Sequence, residues 1–140
     1  MLLTPTPRTE EPVKPAPGTA GTIGWHELYA GNGQEAAFAF YSKLFGWTSV
    51  EAMDMGEMGK YRIFAIDGVQ AGGMMDKPSQ TPAAAWGFYV NVDGIDAAIE
   101  RITAHRGKVL MGPQEVPGGS WIVQATDPQG VNFALVSARR

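Results

Sequence analysis

Two stretches of the chain carry the same succession of apolar and polar positions. Residues 25–30 and 86–92 are short, rich in aromatic and apolar side chains, and run into an Asn-Gly or Asp-Gly turn, which is typical of strands. The segments that follow, 34–45 and 95–106, repeat their apolar side chains at helical spacing. They predict two helices, each ended by a glycine, Gly46 or Gly107.

Each predicted helix is followed by three further strand-like runs. They cover 47–53, 60–67 and 69–75 in the first stretch, and 108–112, 119–126 and 131–137 in the second. A shift of 61 positions aligns the two stretches, pairing Trp25 with Trp86, Gly33 with Gly94 and Gly46 with Gly107. The sequence therefore predicts one β-α-β-β-β module used twice.

The first twenty residues differ in composition from the rest. They hold five of the ten prolines and none of the fourteen aromatic residues, so they lack the apolar surface that offsets the entropy of ordering. We expect a disordered arm over 1–20 and a folded domain over 21–140. Its modules should span about 22–76 and about 84–138.

The composition limits the partners and the metal sites that this chain could have. A formal charge of −3 without a basic block argues against nucleic-acid and anionic-membrane partners. No apolar run approaches the roughly 20 residues that span a bilayer, and no secretory signal opens the chain, so a cytoplasmic protein is expected. The absence of cysteine and the presence of only two histidines leave few metal ligands.

Two separated segments carry a family resemblance. GWHELYAGNGQEAAFAFYSKLFGW (24–47) and DPQGVNFALV (127–136) resemble the vicinal oxygen chelate superfamily, which includes glyoxalases, bleomycin-resistance proteins and extradiol dioxygenases. The resemblance covers about 115 residues. It implies an α+β fold in which two tandem βαβββ modules form a curved mixed sheet around a cavity. It also implies a homodimer, with modules that pair within or between chains.

The resemblance implies a divalent metal as well, held by residues on three strands. The corresponding slots fall on Trp25 or His26, on Trp86 or Gly87, and on Ala134. At most one of these is a ligand, whereas catalytic metal sites use about three protein donors. We therefore expect no metal and no other cofactor.

Strand alternation divides the candidate site residues. Trp25, Glu27 and Tyr29 share one face of the first strand, and His26 points to the other. The 61-residue shift puts Trp86 and Phe88 on the face of the first group. That face either lines the cavity, where it suits a flat apolar ligand with a donor or positive charge, or packs against the helices as ordinary core. Trp121, after a Gly-Gly turn, is a further candidate wall residue.

Three functions remain open. The first is a metal-free small-molecule binding protein with Trp25, Tyr29, Trp86, Phe88 and Trp121 as ligand-binding residues. The second is a glyoxalase-like lyase, isomerase or other enzyme acting on a small carbonyl compound, with Glu27 or His26 as the general base. The third is a dimerisation or regulatory unit with an inert cavity.

Overall fold

The structure, a computed structural model, describes residues 3–7 and 9–140. The first module consists of β1 (Ile23–Ala30), α1 (Gln34–Phe45), β2 (Thr48–Asp54), β3 (Lys60–Ile66) and β4 (Val69–Asp76), with a short 3₁₀ turn at Gly56–Met58. The second consists of β5 (Ala85–Asn91), α2 (Ile95–Ala104), β6 (Lys108–Glu115), β7 (Trp121–Thr126) and β8 (Asn132–Ser137). The predicted β-α-β-β-β repeat is confirmed.

All eight strands form one open mixed sheet in the order β2-β3-β4-β1-β5-β8-β7-β6. Within each module the first strand pairs in parallel with the last, β1 with β4 and β5 with β8. The modules meet where β1 pairs antiparallel with β5. The predicted α+β class is confirmed, and the first strand of each module lies at the centre of the sheet.

Both helices cover the same face of the sheet. The α1 helix packs on a core of Leu28, Ala30, Phe64 and Met74, and α2 packs on a second core formed with Val123 and Leu135. Because strand residues alternate between faces, the neighbours of these core residues lie on the opposite face. That face carries no helix formed by residues 3–7 or 9–140. We call it the helix-free face.

The end of α2 differs from the prediction. The helix ends at Ala104, and the residue with positive φ beyond it is Arg106 rather than Gly107. Gly107 is required for a different reason, since a Cβ there would lie 2.7 Å from the Ile102 side chain and 3.0 Å from the Thr126 carbonyl oxygen. The first helix ends as predicted, at a left-handed Gly46 whose N–H donates to the Ser42 carbonyl.

The arm has no helix or strand in the described residues 3–7 and 9–20, and these residues are exposed. Its disorder stays a prediction, and residues 1, 2 and 8 of the predicted arm lie outside the described residues. Backbone hydrogen bonds from Gly21 to Asn91 and from Asn91 to Thr22 attach the chain to the end of β5 at the start of the domain. None of the helices in the described part of the chain has the length and hydropathy that crossing a membrane requires.

Candidate functional site

Glu27 lies at the centre of the helix-free face. It sits midway along β1, and its register partners are glycines on both sides, Gly73 on β4 and Gly87 on β5. The two glycines leave the carboxylate without a side chain directly beside it on either neighbouring strand. Larger side chains one row away therefore have room to reach it.

Two tyrosines donate hydrogen bonds to this carboxylate. The Tyr61 hydroxyl lies 2.8 Å from Glu27 Oε2, and the Tyr89 hydroxyl lies 3.1 Å from Oε1. Each carboxylate oxygen thus accepts one hydrogen bond from a phenol and keeps a further lone pair.

Two more side chains orient the tyrosines. Trp25 Nε1 donates to the Tyr61 hydroxyl at 2.8 Å, and Gln124 Nε2 lies 3.2 Å from the hydroxyls of both Tyr29 and Tyr89. We call these six residues the Glu27 cluster: Trp25, Glu27, Tyr29, Tyr61, Tyr89 and Gln124. Four strands contribute to it, so its geometry depends on the register of the whole central sheet.

The glycine pair in β4 makes the contact with Tyr61 possible. A Cβ on Gly73 would overlap the Tyr61 ring, which crosses this glycine on its way to Glu27. On the opposite face a Cβ on Gly72 would lie 2.8 Å from the Phe64 ring and would also overlap the His26 carbonyl oxygen. Each glycine accommodates one aromatic ring of β3.

The electrostatics of the cluster follow from its burial. Burial raises the pKa of Glu27, and the neighbouring hydroxyls of Tyr61, Tyr89 and Tyr29 oppose that effect. Burial, followed by the neighbouring Glu27 charge, raises the pKa values of all three tyrosines. The phenols are therefore protonated near neutral pH and remain able to donate to the carboxylate.

No cation compensates the Glu27 charge in the described part of the chain. The ion pair found there joins Arg140 to Asp96, whose side chains are exposed and whose positions are distant from Glu27 in sequence. Arg62 faces the helices, where its Nε donates to Gln34 at 2.7 Å. The cluster is therefore a half-buried carboxyl group held by neutral donors.

The structure corrects the face predicted for two aromatic residues. Leu28 pairs with Trp86 and His26 with Phe88, so Trp86 and Phe88 lie on the helix-covered face. The Trp86 indole donates to the Tyr41 hydroxyl of α1 at 3.0 Å. Trp121 packs against the α2 core beneath the Arg140 guanidinium. The expectation that Trp86 and Phe88 share a face with Trp25 is wrong, and the candidate wall residue Trp121 also lies on the helix-covered face.

The cause of this error is a one-residue offset between the repeat and the strand. The 61-residue shift aligns the turns and helices, but along β5 the residues on the face of Glu27 lie at a shift of 60. A shift of 60 pairs Tyr29 with Tyr89 and Glu27 with Gly87, in agreement with the observed faces. That one-residue offset was the sequence signal for Tyr89, whereas Tyr61 and Gln124 had none.

Of the two candidate general bases, only Glu27 belongs to the cluster. His26 lies on the other face, with its Nδ1 3.2 Å from the Ala71 carbonyl oxygen. Trp25 and Tyr29 are brought together with Glu27 as expected from strand alternation.

The residues present do not fit the metal ion that the resemblance implies. On the helix-free face the three slots are filled by Trp25, Gly87 and Ala134, none of which has a metal-binding group. Within residues 3–7 and 9–140, no three His, Asp or Glu side chains come close enough to share an ion. Ala134 lies between Tyr89 and Gln124 in register, and its small side chain lets those two residues meet above it.

A separate cleft of about 430 Å³ opens on the helix-covered side. It is lined by the end of β1, the start of α1 and the first residues of β5, including Phe40, Tyr41 and Trp86. It contains no carboxylate or imidazole. The candidate chemistry therefore lies in the Glu27 cluster rather than in this cleft.

Comparison with known proteins identifies the family. A sequence model of the Glyoxalase/Bleomycin resistance protein/Dioxygenase superfamily matches residues 23–135. The chain is 33% identical over 130 residues to the anthracycline biosynthesis protein DnrV of Streptomyces peucetius, covering 82% of this chain and 46% of DnrV. It is also 33% identical over 106 residues to a glyoxylase-like domain-containing protein of Didymella fabae, covering 69% of this chain and 81% of that protein.

Solved structures share the fold at low identity. A variant of the Streptomyces coelicolor methylmalonyl-CoA epimerase, in complex with 2-nitronate-propionyl-CoA, superposes with a TM-score of 0.66 at 17% identity, over 85% of this chain and 98% of that one. The chain spans less than half the length of several curated relatives that it matches, DnrV among them. The sequence match across both modules and the shared architecture show that this chain belongs to the Glyoxalase/Bleomycin resistance protein/Dioxygenase superfamily.

Proposed function

We propose that this protein binds a small, flat, apolar molecule on the helix-free face without using a metal ion. The observation that carries the proposal is the Glu27 cluster, in which aromatic rings surround a polar centre on a face that no helix covers. Binding sites for small molecules commonly combine apolar and aromatic walls with a few oriented polar groups.

Methionines extend the apolar surface around the cluster. Met53 on β2 is a register partner of Tyr61, and Met111 on β6 is a partner of Gln124. Residues paired in this way share a face, so these side chains flank the cluster on both sides. Methionine adapts its shape to different ligands, and this supports a binding role.

The relatives support the same ligand class. DnrV is named for anthracycline biosynthesis, and anthracyclines are flat polycyclic compounds. A ligand of that shape suits a surface of indole and phenol rings.

A titration followed by NMR tests the binding site directly. The probe is neutral 1-naphthalenemethanol, and the reporters are the indole N–H signals of Trp25, on the helix-free face, and Trp86, on the helix-covered face. We expect the Trp25 signal to shift and to saturate while that of Trp86 stays in place. A shift confined to Trp86, or no shift at either indole, would contradict the proposal.

The metal-free state is tested on purified protein by elemental analysis. We expect less than stoichiometric divalent metal and no loss of naphthalenemethanol binding after dialysis against a chelator. One tightly bound ion per chain, lost in Glu27→Ala, would overturn this part of the proposal.

A second candidate is an enzyme that uses Glu27 as a general acid or base on a small carbonyl compound. The raised pKa of Glu27 favours it, because a carboxyl group that titrates closer to neutral pH is a more effective base. Turnover of such a substrate that is abolished in Glu27→Gln, with binding retained, would establish catalysis. Binding without turnover in both proteins would leave sequestration as the function.

A further inference from the structure

The two glycines beside Glu27 differ in what lies above them. The space over Gly73 is filled by the Tyr61 ring. Over Gly87 a Cβ would meet only the backbone oxygen of Glu27, at 4.0 Å, and nothing else lies within 4 Å. Gly87 is exposed. The carboxylate is therefore enclosed on its β4 side and open on its β5 side.

Aromatic and small side chains border this open space. Along β5 the next residues on the same face are Ala85 and Tyr89, paired in register with Tyr29 and Trp25. The floor is thus a glycine and an alanine, and aromatic side chains border it. An ammonium or other protonated nitrogen is attracted both by such rings and by a carboxylate.

The charge balance of the cluster favours a cation over any other polar group. Each Glu27 oxygen accepts one hydrogen bond from a tyrosine hydroxyl and can accept another. The neutral phenols and amide that surround the carboxylate supply no positive charge. An anionic ligand group would meet uncompensated repulsion here, whereas a cation would replace lost solvation of the carboxylate.

We propose that the open space over Gly87 is a subsite for a positively charged nitrogen of the ligand, whose N–H groups donate to Glu27. The proposal rests on the function proposed above and specifies its ligand class as flat, apolar and cationic. The absence of a side chain at Gly87 leaves room for the charged group beside Glu27.

The test compares two probes of equal shape and different charge. 1-Naphthylmethylamine is protonated at pH 7, and 1-naphthalenemethanol is its neutral counterpart. Both are titrated into the full chain while the Trp25 and Trp86 indole signals are recorded. We expect the ammonium probe to bind about tenfold more tightly, the difference between a charge-assisted and a neutral hydrogen bond.

Two variants locate the preference. Glu27→Gln should bind both probes with similar affinity. Gly87→Val should lower the affinity for the ammonium probe at least tenfold, because two methyl groups would occupy the subsite. An unchanged Trp86 signal and a single cooperative thermal unfolding transition serve as controls that each variant is folded.

The outcomes separate this inference from the proposed function. Equal affinity of the two probes for the wild-type protein, or a preference that survives in Glu27→Gln, overturns the cationic subsite and leaves binding on the helix-free face intact. Ammonium binding that Gly87→Val does not weaken also overturns the subsite. If neither probe shifts the Trp25 signal, both proposals fail.

Discussion

Replacing Gly73 with alanine should displace Tyr61 from the Glu27 cluster. The new methyl group would overlap the end of the Tyr61 side chain, which can rotate away but would then lose its partners. Tyr61 would then lose two hydrogen bonds, one that it donates to the Glu27 carboxylate and one that it accepts from the Trp25 indole. A hydrogen bond to a charged group contributes about 1.5–3 kcal/mol and a neutral one about 1 kcal/mol. Alanine offsets up to about 1 kcal/mol of this, since glycine in a strand is intrinsically unfavourable.

The net loss should be about 2 kcal/mol in the free energy of unfolding, measured by urea denaturation at pH 7. Gly87→Ala is the matched control, because it lies on the other side of the same carboxylate and its methyl group would enter open space. We expect that variant to remain within about 0.5 kcal/mol of the wild type. In a Tyr61→Ala background, Gly73→Ala should cost nothing further. If Gly73→Ala is as harmless as Gly87→Ala, or if its effect adds fully to that of Tyr61→Ala, the reasoning is refuted.

Three further variants test other parts of the structure. Gly72→Ala should lower the free energy of unfolding by about 3 kcal/mol in the same urea series, more than Gly73→Ala. Its methyl group would overlap both the buried Phe64 ring and the His26 backbone carbonyl, which cannot rotate away. A smaller loss would contradict the observed packing. Glu27 has a raised pKa in the folded state, so its contribution to stability is present below the ordinary glutamate pKa of 4.5 and is lost as the pH rises through the folded-state pKa. Glu27→Gln should therefore gain stability relative to the wild type between pH 4 and pH 8 in urea titrations, and a constant difference between the two proteins would argue against the raised pKa. Trp25→Phe removes the hydrogen bond to Tyr61 and should weaken naphthalenemethanol binding severalfold. Trp86→Phe, on the helix-covered face, should lower the melting temperature without changing the affinity for naphthalenemethanol. The reverse result would contradict the face assignment.

Local patterns in the sequence predicted the elements closely. The bounds of α1, 34–45, agree with the structure because periodicity, the preceding turn and Gly46 are all short-range signals. The β-α-β-β-β order of both modules is confirmed for the same reason. The matching segments at 24–47 and 127–136 were sufficient to identify the superfamily.

The site was predicted only where a single strand determines it. Alternation along β1 correctly separated Trp25, Glu27 and Tyr29 from His26. The face of β5 was wrong because a repeat fixed by helices and turns tolerates a one-residue difference in the strand, and one residue reverses every side chain. Tyr61 lies on β3 and reaches Glu27 on β1 by crossing Gly73 on β4. No pattern within β3 alone could therefore indicate the role of Tyr61.

The two glycines of β4 also have a consequence for backbone dynamics. Gly72 and Gly73 are the least restricted residue type, yet they are bonded to β3 and β1 on either side and covered by the Phe64 ring above and the Tyr61 ring below. Water can reach their amides only if the sheet opens at its centre. Their amide protons should therefore exchange with solvent only through the largest openings of the domain, so that two glycines would report its global stability.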